Sequence, residues 1–109
     1  MATTFTERVR EIIKQIPQGK VTTYGIIAAG AGNGSGARQV ARILHSSSKT
    51  HGLPWHRVVN RAGKISLPPG RGYEMQRDLL LSEGIIFTVN DVIDLDQFLW
   101  LPGEKCELS

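Results

Sequence analysis

The chain has one thiol, seven aromatic residues, no long apolar run and, over more than half its length, no carboxylate. A single cysteine, Cys106, cannot close an internal disulfide, so the fold must rest on a packed core. At 109 residues that is within reach: the length fits one domain, residues 1–109, and exceeds the size at which small proteins need disulfide or metal staples. The longest uninterrupted apolar runs are only a few residues, such as Leu79 to Leu81, too short to cross a hydrocarbon core. The amino terminus, with Thr3, Thr4 and Glu7, does not resemble a secretory leader. A cytoplasmic protein without membrane association is the expectation. Hydrophobic content of 40% and charged content of 21% exclude disorder, collagen-like repeats and coiled coil.

The missing carboxylates say most about function. No Asp or Glu occurs from Ile12 through Tyr73, while nine Lys or Arg residues fall between Lys14 and Arg71. Residues 1–64 hold ten Lys or Arg against Glu7 and Glu11, a charge of +8, and residues 65–109 hold three against eight, a charge of −5. The net charge of +3 hides this segregation. A surface laid against phosphates excludes carboxylates, because each repels the backbone and weakens the counterion release that drives binding. Nucleic acid is therefore the expected partner, with a merely solvated basic face as the plainer alternative. The same gap removes the ligands of a magnesium-dependent nuclease centre from this stretch. Three scattered histidines and one distal cysteine make no zinc site, so no metal or cofactor is expected.

Local patterns predict a mainly α fold with a short β hairpin, a winged helix-turn-helix-like DNA-binding domain. Phe5, Val9, Ile12, Ile13 and Ile16 recur at helical spacing behind a Thr4/Glu7 capping box, and Pro17 and Gly19 end that helix. Thr23 is the expected N-cap of a short second helix carrying Ile26 to Ala29. Gly30, Gly32, Gly34 and Gly36 break the chain into a turn. A third helix is predicted from Ala37 to His45, with Ala37, Val40, Ala41 and Leu44 inward and Arg38, Arg42 and His45 on the opposite stripe. Two helices around a turn, the second with a basic outer face, describe a helix-turn-helix. Ser46 to Pro54 reads as loop, and Arg57 to Ser66 as an extended pair turning near Ala62 and Gly63, the wing. A fourth helix containing Met75, Leu79 and Leu80 ends at Gly84. Residues 86–109 form the expected C-terminal tail, packed on the domain and frayed at its end.

Pro54, Trp55, His56, Arg57 and Val58 set an aromatic, an imidazole and a guanidinium beside a rigid proline. Here the chain resembles the DNA alkyltransferases that remove alkyl groups from the O6 position of guanine, whose hallmark is Pro-Cys-His-Arg-Val. Trp55 stands in the place of the cysteine. Ile16, Pro17, Gly19, Val21, Thr23, Tyr24 and Gly25 match that family's helix-turn-helix entry. Gly36, Ala37, Arg38 and Val40 match its recognition helix, with Arg38 seventeen residues before Trp55, and Glu83 with Gly84 matches a late Glu-Gly. The likeness spans roughly Phe5 to Ile85 and is similar to the alkyltransferase-like proteins, which keep the DNA-binding surface and lesion pocket but substitute the cysteine, usually with tryptophan.

Alkyl transfer to protein needs a polarizable thiolate, and indole has no comparable lone pair to offer. Its large π-face can instead pack against a flipped base and its alkyl group. The resemblance implies a lesion pocket of Tyr24, Trp55, Val58 and Ser66. It also implies that Tyr24 presses on the target phosphate, that Arg38 fills the vacated space in the duplex, and that Arg42 joins the DNA-binding face. Docking is expected in the minor groove, where base edges discriminate poorly, so recognition should follow the lesion rather than its flanks. Pro54, His56, Arg57 and Glu83 are expected as pocket support, a proton relay left with no thiol to activate. Arg71 is a candidate contact. The implied partners are double-stranded DNA containing O6-alkylguanine and nucleotide excision repair proteins, bound by a monomer.

Plainer structural roles stand beside these: Trp55 as a core aromatic, Tyr24 as a ring packed inward, Arg38 as a solvated helix residue. Two other functions also stay open. One is a dealkylating enzyme using Cys106 or a water held by His56 and Glu83; the other is a winged-helix transcriptional regulator.

Overall fold

The computed structural model describes residues 4–103, apart from the side chains of residues 47–51. Cys106 and the end expected to fray, and the side chain of His51, lie outside the described residues. Helix α1 spans Phe5–Gln15, and its capping box is formed: Glu7 N–H donates to Thr4 Oγ1 at 3.1 Å and Thr4 N–H to Glu7 Oε1 at 2.9 Å. Strand β1 (Thr22–Thr23) leads directly into α2 (Tyr24–Gly30), where Thr23 is the N-cap and accepts from Ile26 N–H.

Helix α3 spans Ala37–His51, six residues beyond the expected end at His45. Serine normally competes with the helical backbone, but Ser46 Oγ donates to Ile43 O at 3.3 Å and so stays inside the ladder. Gly52, at φ +61°, provides the left-handed stop. The inward stripe of α3 is Val40, Ile43 and Leu44; Ala37 is half-buried and Ala41 exposed.

A one-turn 3₁₀ helix, Trp55–Arg57, precedes strand β2 (Val58–Val59). The expected hairpin within Arg57 to Ser66 does not form. β2 pairs in parallel with β1, Thr22 opposite Val58 and Thr23 opposite Val59, and residues 60–64 close into a loop through Asn60 N–H to Lys64 O at 3.0 Å. The hairpin-like turn lies further on, where Phe87 bridges Ile93 antiparallel and Asp91 takes φ +56°. Gly63 explains why the wing cannot stand away from the body: a Cβ there would lie 2.5 Å from Ile93 O, and Ile93 N–H donates to Gly63 O at 2.8 Å.

The small sheet divides two apolar clusters, because neighbouring strand residues face opposite ways. Val58 joins Val9, Ile13, Ile27, Val40 and Leu44 between α1, α2 and α3. Val59 joins Val21, Leu80, Ile85, Ile93 and Phe98. Helix α4 (Tyr73–Ser82) covers the 3₁₀ turn and ends at the Glu83 C-cap, with Gly84 at φ +94°. After it, α5 (Leu95–Phe98) carries the chain back to the sheet: Val21 N–H donates to Phe98 O and Trp100 N–H to Val21 O, at 3.0 and 2.8 Å. Trp100 is buried in the first cluster. Among the described residues no helix is long and apolar enough to cross a membrane.

Candidate nucleic-acid interface and its cavity

The parallel pairing of β1 with β2 creates the site. It sets the start of α2 beside the 3₁₀ turn, so Tyr24 and Trp55, far apart in the chain, line one cavity of about 460 Å³. Val58 and Ser66 line it too, together with Ala41, Leu44 and His45 of α3, Leu67, and Gln76 of α4. Both rings are half-buried and rest against the first apolar cluster. The indole is thus a wall of an open cavity and not an interior aromatic. It meets the His56 ring edge-on, with centroids 6.1 Å apart and planes at 84°.

Along α3, Arg38, Ala41, Arg42 and His45 follow at i, i+3, i+4 and i+7 and form one stripe. Ala41 and His45 line the cavity, so Arg38 and Arg42, both exposed, stand beside its mouth. Neither side chain makes a hydrogen bond or ion pair with another described residue. Two free guanidinium groups on a helix flanking a cavity present donors for phosphate or base edges. Arg71 is exposed in the turn between Pro68 and α4. A second, more open hollow of about 540 Å³ runs along α1; Glu7, Glu11, Arg10 and Lys14 give it both signs of charge, and no aromatic lines it.

Behind the cavity sits a closed polar cluster. Glu83 receives His56 Nε2 at 2.6 Å, Arg57 Nη2 at 2.8 Å, Arg57 Nε at 3.0 Å and Gly19 N–H at 3.2 Å. Arg57 Nη1 continues to Ile16 O at 2.9 Å. The cluster ties the 3₁₀ turn to the end of α1 and to the C-cap of α4, where a carboxylate would otherwise face the negative end of the helix. Burial pushes the Glu83 carboxyl up, but hydrogen bonds from Arg57, His56 and Gly19 to the ionised form outweigh it and hold the group at about 2. Since this value lies below the ordinary 4.5, the associated stability is complete above about pH 4.5 and disappears as pH falls through about 2. Urea midpoints measured from pH 5 to 2 should fall steeply over that window, and Glu83→Gln should flatten the dependence there.

Gln76 carries no local signal of its own, being a polar residue inside a helix, yet it is 2% exposed and lines the cavity. Leu67 and the cavity-facing Ala41 and His45 are equally silent in the chain order. Their spacing indicates a helix face or a loop, not which neighbour they meet.

A helix-turn-helix pair with a cationic stripe, opening beside an aromatic-walled cavity, defines a nucleic-acid-binding domain with room for one extruded base. Residues 4–85 match the model of the DNA-binding domain of 6-O-methylguanine DNA methyltransferase. The chain belongs to that family, in its alkyltransferase-like branch. It is 46% identical over 96 residues to an Escherichia coli DNA base-flipping protein, covering 88% of this chain and 74% of that one. A Schizosaccharomyces pombe alkyltransferase-like protein, solved with damaged DNA containing O6-carboxymethylguanine, matches with a TM-score of 0.78 and 35% identity over 94% of this chain and 100% of that one. The Mycobacterium tuberculosis O6-methylguanine methyltransferase matches with a TM-score of 0.59 and 32% identity, over 76% of this chain but 50% of its own.

Proposed function

We propose that this protein is a non-enzymatic sensor of O6-alkylguanine in duplex DNA. It docks α3 in the minor groove, flips the damaged nucleotide into the cavity and holds it without transferring the alkyl group. The observation that carries this reading is Trp55, a half-buried indole in the cavity wall beside the exposed Arg38 and Arg42. Indole supplies a stacking face and no acceptor for carbon, so the complex leaves the lesion intact. Tyr24 presses on the phosphate of the target nucleotide, Arg38 occupies the gap in the stack, and Arg42 contacts the backbone. Tyr24, Trp55, Val58 and Ser66 enclose the base. Pro54, His56, Arg57 and Glu83 hold the Trp55 turn in place. A weakly paired, alkylated guanine costs less to extrude than an intact one, which adds to the selectivity.

The same reading takes residues 1–109 as one domain acting as a monomer in the cytoplasm. Bound lesions remain unrepaired, so nucleotide excision repair proteins are the partners that finish the work. Lesion recognition itself is supported by what the relatives are named for: base flipping in the Escherichia coli protein and a damaged-DNA complex in the Schizosaccharomyces pombe protein.

The test is a titration against duplexes carrying guanine, O6-methylguanine or a bulkier O6-alkyl adduct, followed by recovery and analysis of the DNA. Selective affinity with unchanged lesion is the expected result. Loss of the alkyl group, or equal affinity for all three, overturns it. Arg42→Ala should weaken binding to every duplex by about tenfold and reduce the slope of log affinity against log salt by about 1, whereas Arg38→Ala should cost the lesion duplexes more than the undamaged one.

A further inference from the structure

We infer that Asp91, outside the cavity, is a positioning residue for it: through Tyr73 it fixes the first turn of α4 and, with it, the wall formed by residues 67–72; this rests on the lesion-binding function proposed above. Asp91 holds its backbone at φ +56°, the one non-glycine with positive φ among the described residues. Side chains of the L series rarely take that region, and one kept there is held by its surroundings. Its carboxylate has two partners. Tyr73 Oη donates to Asp91 Oδ2, and Arg77 Nε lies 3.4 Å from Asp91 Oδ1. The Arg77 guanidinium in turn lies over the Phe87 ring, 5.2 Å from its centre.

The two ends of this link are held to different degrees. The turn that carries Asp91 is anchored: Asp91 N–H donates to Thr88 O at 2.9 Å and Thr88 N–H to Val92 O at 2.8 Å. Two residues on, Ile93 is buried in the second apolar cluster. The start of α4 has no such base. Its N-cap, Gly72, sits in the left-handed region at φ +113° and offers no side-chain cap. Among the described residues, the hydrogen bonds of residues 67–72 stay local: Arg71 N–H to Pro68 O at 3.0 Å, Gly70 N–H to Glu74 Oε1 at 2.9 Å, and Gln76 N–H to Gly72 O at 3.0 Å. Yet this segment walls the cavity, because Leu67 lines it and a Cβ on Gly72 would lie 2.8 Å from Leu67 Cδ1. Contact thus runs from the anchored turn through Tyr73 to Gly72 and Leu67. A wall already in place spares the complex the cost of ordering it. A released wall is in place for part of the time, and apparent affinity falls by that fraction.

The experiment compares wild type with Tyr73→Phe, Asp91→Gly and Asp91→Asn. Tyr73→Phe removes only the hydroxyl. Asp91→Gly removes the carboxylate but suits the left-handed backbone, so it should melt within about 5 °C of wild type. Asp91→Asn keeps an acceptor and tolerates that backbone. Affinity for an O6-methylguanine duplex should fall about fivefold in Tyr73→Phe and in Asp91→Gly, the worth of one hydrogen bond, with no further loss when the two are combined. Asp91→Asn should stay within about twofold of wild type, as should every variant on an undamaged duplex. Without DNA, the Gly70 and Gln76 amides should exchange hydrogen about fivefold faster in Tyr73→Phe. Unchanged exchange, unchanged lesion affinity, equal losses on both duplexes, or a loss in Asp91→Asn as large as in Asp91→Gly each overturn the inference. If the wild type fails to prefer O6-methylguanine over guanine, the sensor function falls, and exchange still decides whether Asp91 holds the wall; if that preference stands and the variants keep it, only the role of Asp91 falls.

Discussion

Glu83→Ala should destabilise the protein by about 3–5 kcal/mol, a large part of the roughly 5–15 kcal/mol that separates a folded domain from its unfolded chain. The reason is the partner left behind. The Arg57 side chain is 17% exposed and gives three of its donors to Glu83 or Ile16 O, so removing the carboxylate strands a guanidinium in a site water barely reaches. His56, 12% exposed, loses its partner at the same time. The melting temperature should drop by at least about 12 °C. Arg57→Met added to Glu83→Ala should recover part of the loss, because an apolar side chain needs no counter-charge. A Glu83→Ala protein that melts within a few degrees of wild type would show that the cluster is not what holds the 3₁₀ turn to α1 and α4.

Trp55→Ala carries the second large effect, and it falls on binding. Stacking of a base on an aromatic side chain is worth about 1–3 kcal/mol, so affinity for an O6-methylguanine duplex should fall by roughly 10- to 100-fold. Affinity for an undamaged duplex should change by less than about threefold, because contacts from α3 to phosphates do not use the cavity. Trp55→Phe keeps a π-face and should retain most of the selectivity. Equal losses on damaged and undamaged DNA would mean that the indole serves only the apolar cluster behind it. Competition titrations at one fixed salt concentration separate these outcomes.

Several features could be read directly along the chain because their causes are local. The Thr4/Glu7 box and the Thr23 cap connect residues three apart, and both form. The segregation of charge needs no fold at all: the carboxylate-free stretch contains α2, α3 and the 3₁₀ turn, and these border the cavity. The motif around Trp55 was legible because Pro54 through Val58 stand consecutively. Other features were not legible. Strands of two residues show no alternation to detect, and the partner of Val58 is Thr22, across α2, α3 and the 3₁₀ turn. An antiparallel hairpin between Arg57 and Ser66 is the shortest closure for such a segment, but the contact of Gly63 with Ile93 prevents that loop from becoming a free wing. The end of α3 was missed for a different reason, since three consecutive serines imitate a loop unless their hydroxyls bond back to the helix, as Ser46 does.

Residue order alone thus settles where α1, α2, α4 and the start of α3 lie and which half of the molecule is basic, from neighbours within a few positions or from composition, and the family resemblance adds that an indole occupies the slot of a nucleophilic sulfur. Long-range packing settles the remainder. Parallel pairing of two short strands brings Tyr24 to Trp55, α4 turns Gln76 inward to close the cavity floor, and Glu83 reaches back to Arg57 and Gly19. Such contacts form only where buried apolar surface offsets the entropy of closing long loops, and no short stretch of sequence records that balance.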